Sequence, residues 1–212
     1  MPIDRAGWPF FAAALVMATL LGLLAGPVWS VPGLVLAAMF LAFFRDPARD
    51  TPTGPDLVVS PADARITVAG DPPGPGGPPG QWRHISMFLS LLDVHVNRTP
   101  VAGTVGEVSH HPGRFLPAYR PDAGELNEWT EVWFDCGGRP VVCRQIVGIL
   151  ARRIVCRIAP GDAVERGQRF GVMKFGSRID LFLPPDATIL VEPGDKVWGG
   201  RTAGARLAGP AT

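Results

Sequence analysis

Neither sign of charge is in excess in this chain of 212 residues, which carries 20 Lys and Arg against 19 Asp and Glu. Proteins that bind nucleic acid usually concentrate positive charge on one surface, so we expect no nucleic-acid partner. Cysteine is scarce as well. Cys136, Cys143 and Cys156 are odd in number and form no Cys-x-x-Cys pair, which argues against a disulfide framework and against a metal site of the zinc type.

Charged residues are also absent from the whole of 8–44. A helix needs about 20 apolar residues to cross the roughly 30 Å of bilayer hydrocarbon, and this run is long enough for two. Residues that favour a turn stand near its middle, namely Pro27, Pro32 and Gly33. We therefore predict a helical hairpin, with a shallow re-entrant insertion as the alternative.

The flanking charges predict the orientation of this hairpin. Arg5 precedes the apolar run, Arg45 and Arg49 follow it, and the short connection between the two helices has no Lys or Arg. Positive residues remain on the cytoplasmic side of a membrane. We expect residues 1–46 to anchor the protein in the cell membrane, with residues 47–212 as a second domain on the cytoplasmic side.

The remainder of the chain is rich in turn formers and β-branched residues, with 26 Gly and 23 Pro in the whole sequence. "LVVSPADARITVAG" predicts strand, turn and strand, and "VVCRQIVGILARRIVCRI" predicts two paired strands. "PGDAVERG" and "PGDKVWGG" repeat one turn pattern 33 residues apart. These features predict a mainly β domain, a flattened β-sandwich or barrel-like fold resembling biotinyl and lipoyl carrier domains.

One dipeptide stands out within "VMKFGSRIDLFLP", where Gly176 and Ser177 interrupt a run of larger residues. Three interpretations compete. Ser177 is an ordinary turn residue that bonds nearby backbone, or Lys174 carries biotin or lipoate on a membrane-tethered carrier domain, or Ser177 attacks the Gly176 carbonyl and the chain cuts itself. The third requires a base for the hydroxyl proton and a group that stabilises the oxyanion.

Several further segments accompany this dipeptide in order along the chain. They are "FFRDPAR", "VVSPADARI", "MFLSLLDVHVNRTPVAG", "QIVGILARRIV", "GVMKFGSRIDLFLP" and "VEPGDKVWGG". Together they resemble the phosphatidylserine decarboxylase proenzymes of the short type. The resemblance extends over roughly residues 30 to 200.

The resemblance implies autocatalytic cleavage between Gly176 and Ser177. The products would be a chain of residues 1–176 and a chain of residues 177–212 that remain together as a heterodimer, whose further oligomerisation is left open. Ser177 would become a pyruvoyl group, the covalent cofactor that forms a Schiff base with the substrate. The implied reaction is the decarboxylation of phosphatidylserine to phosphatidylethanolamine and CO2 in phospholipid biosynthesis.

Histidine is the usual side chain for removing a hydroxyl proton near neutral pH, and His95 lies in the sequence Asp93-Val94-His95. On a strand, Asp93 and His95 would project from the same face, so that the carboxylate orients the imidazole. The resemblance implies catalytic roles for Asp93, His95 and Asp63 of the "SPAD" motif. Longer bacterial relatives have a second histidine where this chain has Arg98, so His95 is expected to serve both cleavage and decarboxylation.

Overall fold

The structure is a computed structural model, and it describes residues 2–54, 56–70, 72–74, 76–149, 154–174 and 176–209. The chain divides into two compact units, residues 1–48 and residues 49–212. They are described separately below as the N-terminal unit and, after the role that the resemblance implies for residues 47–212, the catalytic unit.

The N-terminal unit is a helical hairpin. A short 3₁₀ turn at Arg5–Gly7 leads into α1, Trp8–Ala25, and a second 3₁₀ turn at Pro27–Ser30 leads into α2, Val31–Phe43. Helix α1 ends because Gly26 takes a φ of +105° and the following proline cannot continue the helical hydrogen bonds. The predicted hairpin is thus present, but its turn is shorter than expected.

Pro32 and Gly33 are not part of the turn that the sequence predicted. Pro32 occupies the first turn of α2, where its missing N–H costs no hydrogen bond. Gly33 lies inside α2 against α1, and a Cβ at this position would come within 2.7 Å of the Ala18 backbone. The glycine therefore allows close helix packing. At the open end, an antiparallel bridge joins Ile3 to Arg45, so both ends of the hairpin lie side by side.

The helical stretch Arg5–Ala25 has 21 residues and is apolar and long enough to cross a membrane. The second apolar stretch, Pro27–Phe43, is shorter. At 1.5 Å per residue, α2 alone reaches only about 20 Å. Among the described residues, only the stretch Arg5–Ala25 is long enough to cross the whole bilayer.

The catalytic unit is built mainly from antiparallel strands. Fourteen strands are present in the described residues: β1 Leu57–Val59, β2 Ala64–Ala69, β3 Arg83–Leu89, β4 Val96–Arg98, β5 Gly103–His111, β6 Trp129–Asp135, β7 Pro140–Ile146, β8 Ile154–Cys156, β9 Ala163–Val164, β10 Arg169–Met173, β11 Ser177–Leu183, β12 Thr188–Ile189, β13 Lys196–Val197 and β14 Ala203–Arg206. A single short helix, α3 Ala123–Leu126, interrupts them in the described part of the unit. The prediction of a mainly β domain with an N-terminal apolar hairpin is confirmed.

These strands form one large sheet and two small ones. The large sheet has eight strands in the order β13-β2-β3-β11-β7-β6-β5-β9, and the small sheets have the orders β1-β14-β12 and β4-β10-β8. Strand β11 is central, since it pairs with β3 on one side and β7 on the other. The likeness to biotinyl and lipoyl carriers that the sequence predicted stays a prediction.

The two Pro-Gly-Asp repeats both form a turn followed by a two-residue strand, as the sequence predicted. The first leads into β9, which pairs with β5, and the second leads into β13, which pairs with β2. These two strands lie at opposite edges of the eight-stranded sheet. Short edge strands offer few unpaired backbone groups to other chains.

One predicted pairing is wrong. The segment "VVCRQIVGILARRIVCRI" contains β7 and β8, but the two do not pair with each other. β7 lies between β6 and β11, whereas β8 pairs with β10 in a small sheet. Sequence periodicity identifies strands without fixing their partners, which depend on the path of the rest of the chain.

Candidate active site

Gly176 directly precedes the central strand β11 and has a φ of +70°. This left-handed conformation is strained for any residue with a Cβ. Space is not the constraint, because the nearest atom to a Cβ at this position would be Leu91 Cδ2 at 3.9 Å. Glycine is therefore required by the backbone turn that leads into Ser177.

Ser177 is the first residue of β11 and is fully buried, with 0% exposure. It pairs with Leu89 of β3. Its hydroxyl has no hydrogen-bond partner among the described residues. Such a group in a protein interior has lost its water without gaining a bond, which costs about 1–3 kcal/mol. Because it is unpaired, this hydroxyl can turn toward the Gly176 carbonyl, but no hydrogen bond among the described residues joins it to a base.

His95 is a titratable side chain that contacts the backbone N–H of Gly176. The residue is 1% exposed, its Nδ1 lies 2.9 Å from the Asp93 carbonyl oxygen, and its Nε2 lies 3.5 Å from the Gly176 backbone N. A carbonyl only accepts, so this pattern assigns the proton to Nδ1, and the lone pair of Nε2 faces the Gly176 amide. In this geometry Nε2 accepts the Gly176 N–H over a long contact of 3.5 Å, so its lone pair can take a proton from another group only when that contact opens.

The Asp93 carboxylate does not take the place that the sequence predicted. Asp93 precedes β4 in a turn, and its Oδ2 accepts hydrogen bonds from the Ser90 N–H and the Ser90 hydroxyl, each at 2.8 Å. Its Oδ1 accepts a hydrogen bond from Lys196 Nζ. The imidazole of His95 is instead oriented by the Asp93 carbonyl. The predicted alternation on a strand is wrong here because β4 begins only at Val96.

The environment of Asp93 keeps its carboxylate ionised. Burial raises the pKa, but the hydrogen bonds from Lys196 and Ser90 outweigh it, so the pKa of Asp93 lies below its ordinary value. Sequence reasoning missed Lys196 as a partner, although it belongs to the second Pro-Gly-Asp repeat. That repeat therefore supplies a cation to the turn that orients His95.

Asp63 lies at the same end of the large sheet but makes different contacts. Its carboxylate accepts hydrogen bonds from Arg49 Nη2 at 2.7 and 2.9 Å and from the Gly199 N–H at 2.8 Å. None of the contacts recorded for the described residues joins Asp63 to Gly176, Ser177 or His95. In this geometry Asp63 ties the start of the catalytic unit to the turn after β13.

Gly148 is a residue of the site that sequence reasoning missed. A Cβ at this position would come well inside the 3.0 Å that real Cβ atoms keep, and the atom it would meet is the carbonyl oxygen of Gly176. The absence of a side chain at 148 thus makes room for the carbonyl of the proposed scissile bond. The only sequence signal is the glycine that ends "QIVG" directly after β7.

A loop holds Gly148 in this position. Asn127 is buried and its Nδ2 donates to the carbonyls of Leu116 at 2.8 Å and Val147 at 2.9 Å, while its Oδ1 accepts from the Leu116 N–H at 2.9 Å. Asn127 therefore joins the segment before Ala118 to the segment before Gly148. It belongs to the "ELNEW" segment of the sequence.

An apolar pocket of about 350 Å³ opens beside the Gly176–Ser177 peptide. Its lining includes Gly176 and Gly148, and the apolar side chains of Phe88, Leu91, Tyr119 and Ile149. Ligand pockets are typically concave and apolar with a few polar groups that fix the ligand. A substrate entering this pocket would meet the peptide bond that the sequence singled out.

Lys174 and Arg98 are two further residues that the sequence singled out. Lys174, the predicted attachment point for biotin or lipoate, is only half-exposed between β10 and β11, and its neighbour Phe175 lies outside the described residues. Arg98 is buried, with its Nη1 donating to the Gly167 carbonyl at 3.0 Å.

Comparison with known proteins identifies the family of the chain. The family model for phosphatidylserine decarboxylase matches residues 36–205. The chain belongs to the phosphatidylserine decarboxylase family. It is therefore an enzyme of the decarboxylase class.

Proteins named phosphatidylserine decarboxylase proenzyme align with this chain over nearly their whole length. A phosphatidylserine decarboxylase proenzyme of Nitrosomonas eutropha is 44% identical over 201 residues, which cover 94% of this chain and 93% of the relative. A proenzyme of Symbiobacterium thermophilum is 44% identical over 207 residues, covering 97% and 95%. A third, of Solibacter usitatus, is 41% identical over 206 residues, covering 97% of both. The word proenzyme describes those relatives as precursors.

Proposed function

We propose that this chain cuts itself between Gly176 and Ser177 and then decarboxylates phosphatidylserine to phosphatidylethanolamine and CO2. The observation that carries the proposal is the buried Ser177 hydroxyl without a hydrogen-bond partner in the described part of the chain, beside a positive-φ glycine. The family membership supports the reaction class. The residues that perform each step are proposed from their positions.

In the first step, Ser177 Oγ attacks the carbonyl carbon of Gly176. The C–N bond breaks and an ester replaces the amide, with the amine of Ser177 taking up a proton. His95 Nε2 is the proposed acceptor for the hydroxyl proton, because it lies 3.5 Å from the backbone N of Gly176, the residue next to Ser177, and would exchange that N–H for the hydroxyl. The absence of a side chain at Gly148 leaves room for the Gly176 carbonyl oxygen, on which the negative charge of the tetrahedral intermediate develops.

In the second step, a base removes the Cα proton of residue 177 and the bond between Cβ and Oγ breaks. The oxygen leaves with Gly176 as a carboxylate, which ends the chain of residues 1–176. The dehydroalanine that remains tautomerises to an imine, and water hydrolyses it with loss of ammonia. Residue 177 then begins the second chain as a pyruvoyl group.

The residues around position 177 fit such a group. A pyruvoyl is no larger than the serine that it replaces, and the Ser177 side chain occupies a buried site whose oxygen forms no hydrogen bond with the described residues. The group supplies a ketone that binds the amine of the substrate and withdraws electrons from the carbon that loses CO2. We propose that His95 then returns a proton to that carbon.

The two products would remain together. The new chain of residues 177–212 begins with β11, which lies at the centre of the eight-stranded sheet between β3 and β7. Separating the chains would break two complete ladders and expose buried side chains such as Ile179 and Leu181. The proposed enzyme is thus a heterodimer of its own cleavage products.

The helical hairpin gives the enzyme access to its substrate. Moving a lipid chain of about fifteen methylenes into water would cost about 12 kcal/mol at about 0.8 kcal/mol each, so the acyl chains must stay in the bilayer. We propose that the N-terminal unit inserts in the cell membrane and that the catalytic unit works at the cytoplasmic surface. The positive residues Arg5, Arg45 and Arg49 that flank the apolar run support this orientation.

Intact mass spectrometry of the purified protein tests the proposal. We expect two chains, with the smaller corresponding to residues 177–212 and labelled at its first residue by an amino-oxy reagent specific for ketones. Ser177→Ala should remain a single inactive chain. Ser86→Ala, which alters another buried serine on the neighbouring strand β3, should be cut normally. An active protein consisting of one intact chain would refute the proposal.

A further inference from the structure

A turn next to the candidate active site exposes two leucines to solvent. Leu91 is 49% exposed and Leu92 is 84% exposed. The turn is firmly closed, because the Asp93 N–H donates to the Ser90 carbonyl at 3.0 Å and the Asp93 carboxylate accepts two hydrogen bonds from Ser90. A turn held in this way presents the exposed surfaces of its two leucines in a defined position.

Further apolar side chains continue this surface around the mouth of the pocket. Tyr119 is 73% exposed and Ile149 is 55% exposed, and both line the pocket together with Leu91 and Gly176. We call Leu91, Leu92, Tyr119 and Ile149 the apolar rim. A cluster of this kind around a pocket is more than the scattered surface leucines that need no explanation.

We propose that the apolar rim inserts into the interfacial region of the lipid bilayer, so that the pocket opens directly into lipid. This inference rests on the proposed function, which gives the pocket a membrane lipid as substrate. A phospholipid with two acyl chains is far larger than a cavity of about 350 Å³. The head group can enter the pocket, whereas the chains must pass the rim and remain in an apolar medium.

The chemistry of the rim suits a bilayer surface. Leucine and isoleucine lose unfavourable contact with water when they enter the acyl boundary, and tyrosine is favoured at the level of the head groups. The substrate then moves from the bilayer to the pocket without crossing water. The rim would provide a contact with lipid in addition to that of the N-terminal hairpin, and it would set the depth of the catalytic unit.

The same turn connects the rim with the catalytic machinery. Asp93 closes the turn that carries Leu91 and Leu92, and its carbonyl oxygen lies 2.9 Å from His95 Nδ1. The position of the leucines and the orientation of the imidazole thus depend on one short segment. Docking of the rim would hold that segment against the membrane while the substrate is bound.

Photo-crosslinking in the full-length, self-cleaved protein tests the proposal. The photoreactive residue p-benzoylphenylalanine would replace Leu92 in one variant and Leu190 in a matched control, since Leu190 is also apolar and 46% exposed but lies outside the rim. Both proteins would be reconstituted in vesicles of phosphatidylcholine and phosphatidylglycerol. We expect roughly tenfold more lipid adduct at position 92, in line with burial of one apolar side chain. Equal adducts at both positions, or none at position 92, would overturn the proposal.

A kinetic comparison gives a second readout. Leu92→Asp should lower the ratio of kcat/KM on vesicles to kcat/KM on a monomeric short-chain phosphatidylserine by roughly tenfold, mainly through the vesicle KM. Leu190→Asp should leave that ratio unchanged. A ratio that is the same in Leu92→Asp and the parent protein would contradict insertion of the rim.

These tests separate the rim from the proposed function. An uncut chain that still forms lipid adducts at position 92 would refute self-cleavage and leave the rim supported. A cut and active enzyme without adducts at position 92 would refute the rim and leave the proposed function supported.

Discussion

Ser177 and Asp180 lie three residues apart on β11, and both are buried polar residues, yet their surroundings are opposite in kind. The Asp180 carboxylate accepts hydrogen bonds from Arg178 Nε at 2.7 Å and Nη2 at 2.8 Å, and His84 Nε2 lies 3.4 Å from its Oδ1. The Ser177 hydroxyl has no partner among the described residues. One strand therefore carries a buried carboxylate with partners and a buried hydroxyl that has none among the described residues, the group for which we propose a reaction.

The pKa of Asp180 expresses the same difference. Burial raises the pKa of this carboxyl, but His84 and Arg178 outweigh burial and lower it to about 2. A buried charge with good partners is stable, whereas a buried hydroxyl without them costs free energy. We interpret the cost at Ser177 as the consequence of keeping its oxygen free to attack Gly176.

The largest effect is expected from removing the proposed base at the reactive end of the strand. His95→Ala should give a chain that is uncut, or cut and inactive, because a positioned general base contributes about 10²–10⁴-fold in rate. A gel time course of cleavage and a decarboxylase assay measure the two outcomes. His110→Ala, which changes an exposed histidine, is the control and should be cut and active. A His95→Ala protein that is both cut and active would contradict the role of His95.

Removing Asp180 should lower the stability of the protein. In the uncut Ser177→Ala background, Asp180→Ala should lower the free energy of unfolding by about 3–5 kcal/mol, because it leaves Arg178 without its buried partner. Ser177→Ala itself removes an unpaired group and should cost little. Thermal unfolding in detergent measures both as changes in Tm. As a control, Asp122→Ala breaks an exposed ion pair with Arg120 and should leave the Tm almost unchanged. If Asp180→Ala and Asp122→Ala lower the Tm equally, the buried ion pair of Asp180 contributes no more to stability than an exposed one.

Gly148→Ala tests whether the Gly176 carbonyl must keep its position. The added methyl would overlap the carbonyl oxygen, and a displacement of about 1 Å typically costs about 10²-fold in rate. We expect cleavage to slow by about that factor while the fold is retained. Gly106→Ala is the matched control, since a Cβ there would meet only the Trp133 carbonyl at 3.8 Å. Normal cleavage of Gly148→Ala would show that the carbonyl position is not critical.

A smaller effect is expected from pH. The folded pKa of Asp180, about 2, lies below its ordinary value of 3.8, so its contribution is present above about pH 4 and is lost as the pH falls toward 2. The shift corresponds to roughly 2 kcal/mol. Unfolding of Ser177→Ala at several pH values should show this loss, and Asp180→Asn in the same background should flatten it. If the double variant loses stability at low pH as steeply as Ser177→Ala alone, the loss comes from carboxylates other than Asp180.

The sequence alone predicted the helical hairpin and the mainly β character of the rest. Uninterrupted apolar residues and Pro-Gly-Asp turns are local signals, and they act over a few residues. The pairing of β8 with β10 was not predictable in this way, because it depends on where distant segments of the chain meet. The limits of α2 were also misjudged, since Pro32 fits the first turn of a helix as well as a loop.

In the candidate site, too, some features could be predicted from local sequence and others could not. Gly176, Ser177 and His95 could be proposed from "KFGSRIDLFLP" and "DVHVNRTP", and the structure brings Gly176 and His95 into contact. The carboxylate of Asp93 was expected beside the imidazole, but it closes a turn instead. Spacing in a motif gives the face of a side chain only when the backbone is regular, and Asp93 lies before the strand begins.

By itself the sequence determined the family, the apolar hairpin and the peptide bond at which self-cleavage is proposed, because each depends on residues that are close together in the chain. Only the tertiary structure decided which groups surround that bond. Lys196 reaches Asp93 across 103 residues of sequence, and Gly148 meets the carbonyl of Gly176. Such contacts follow from strand register and chain path, and these are fixed by packing the whole sheet rather than by any local pattern.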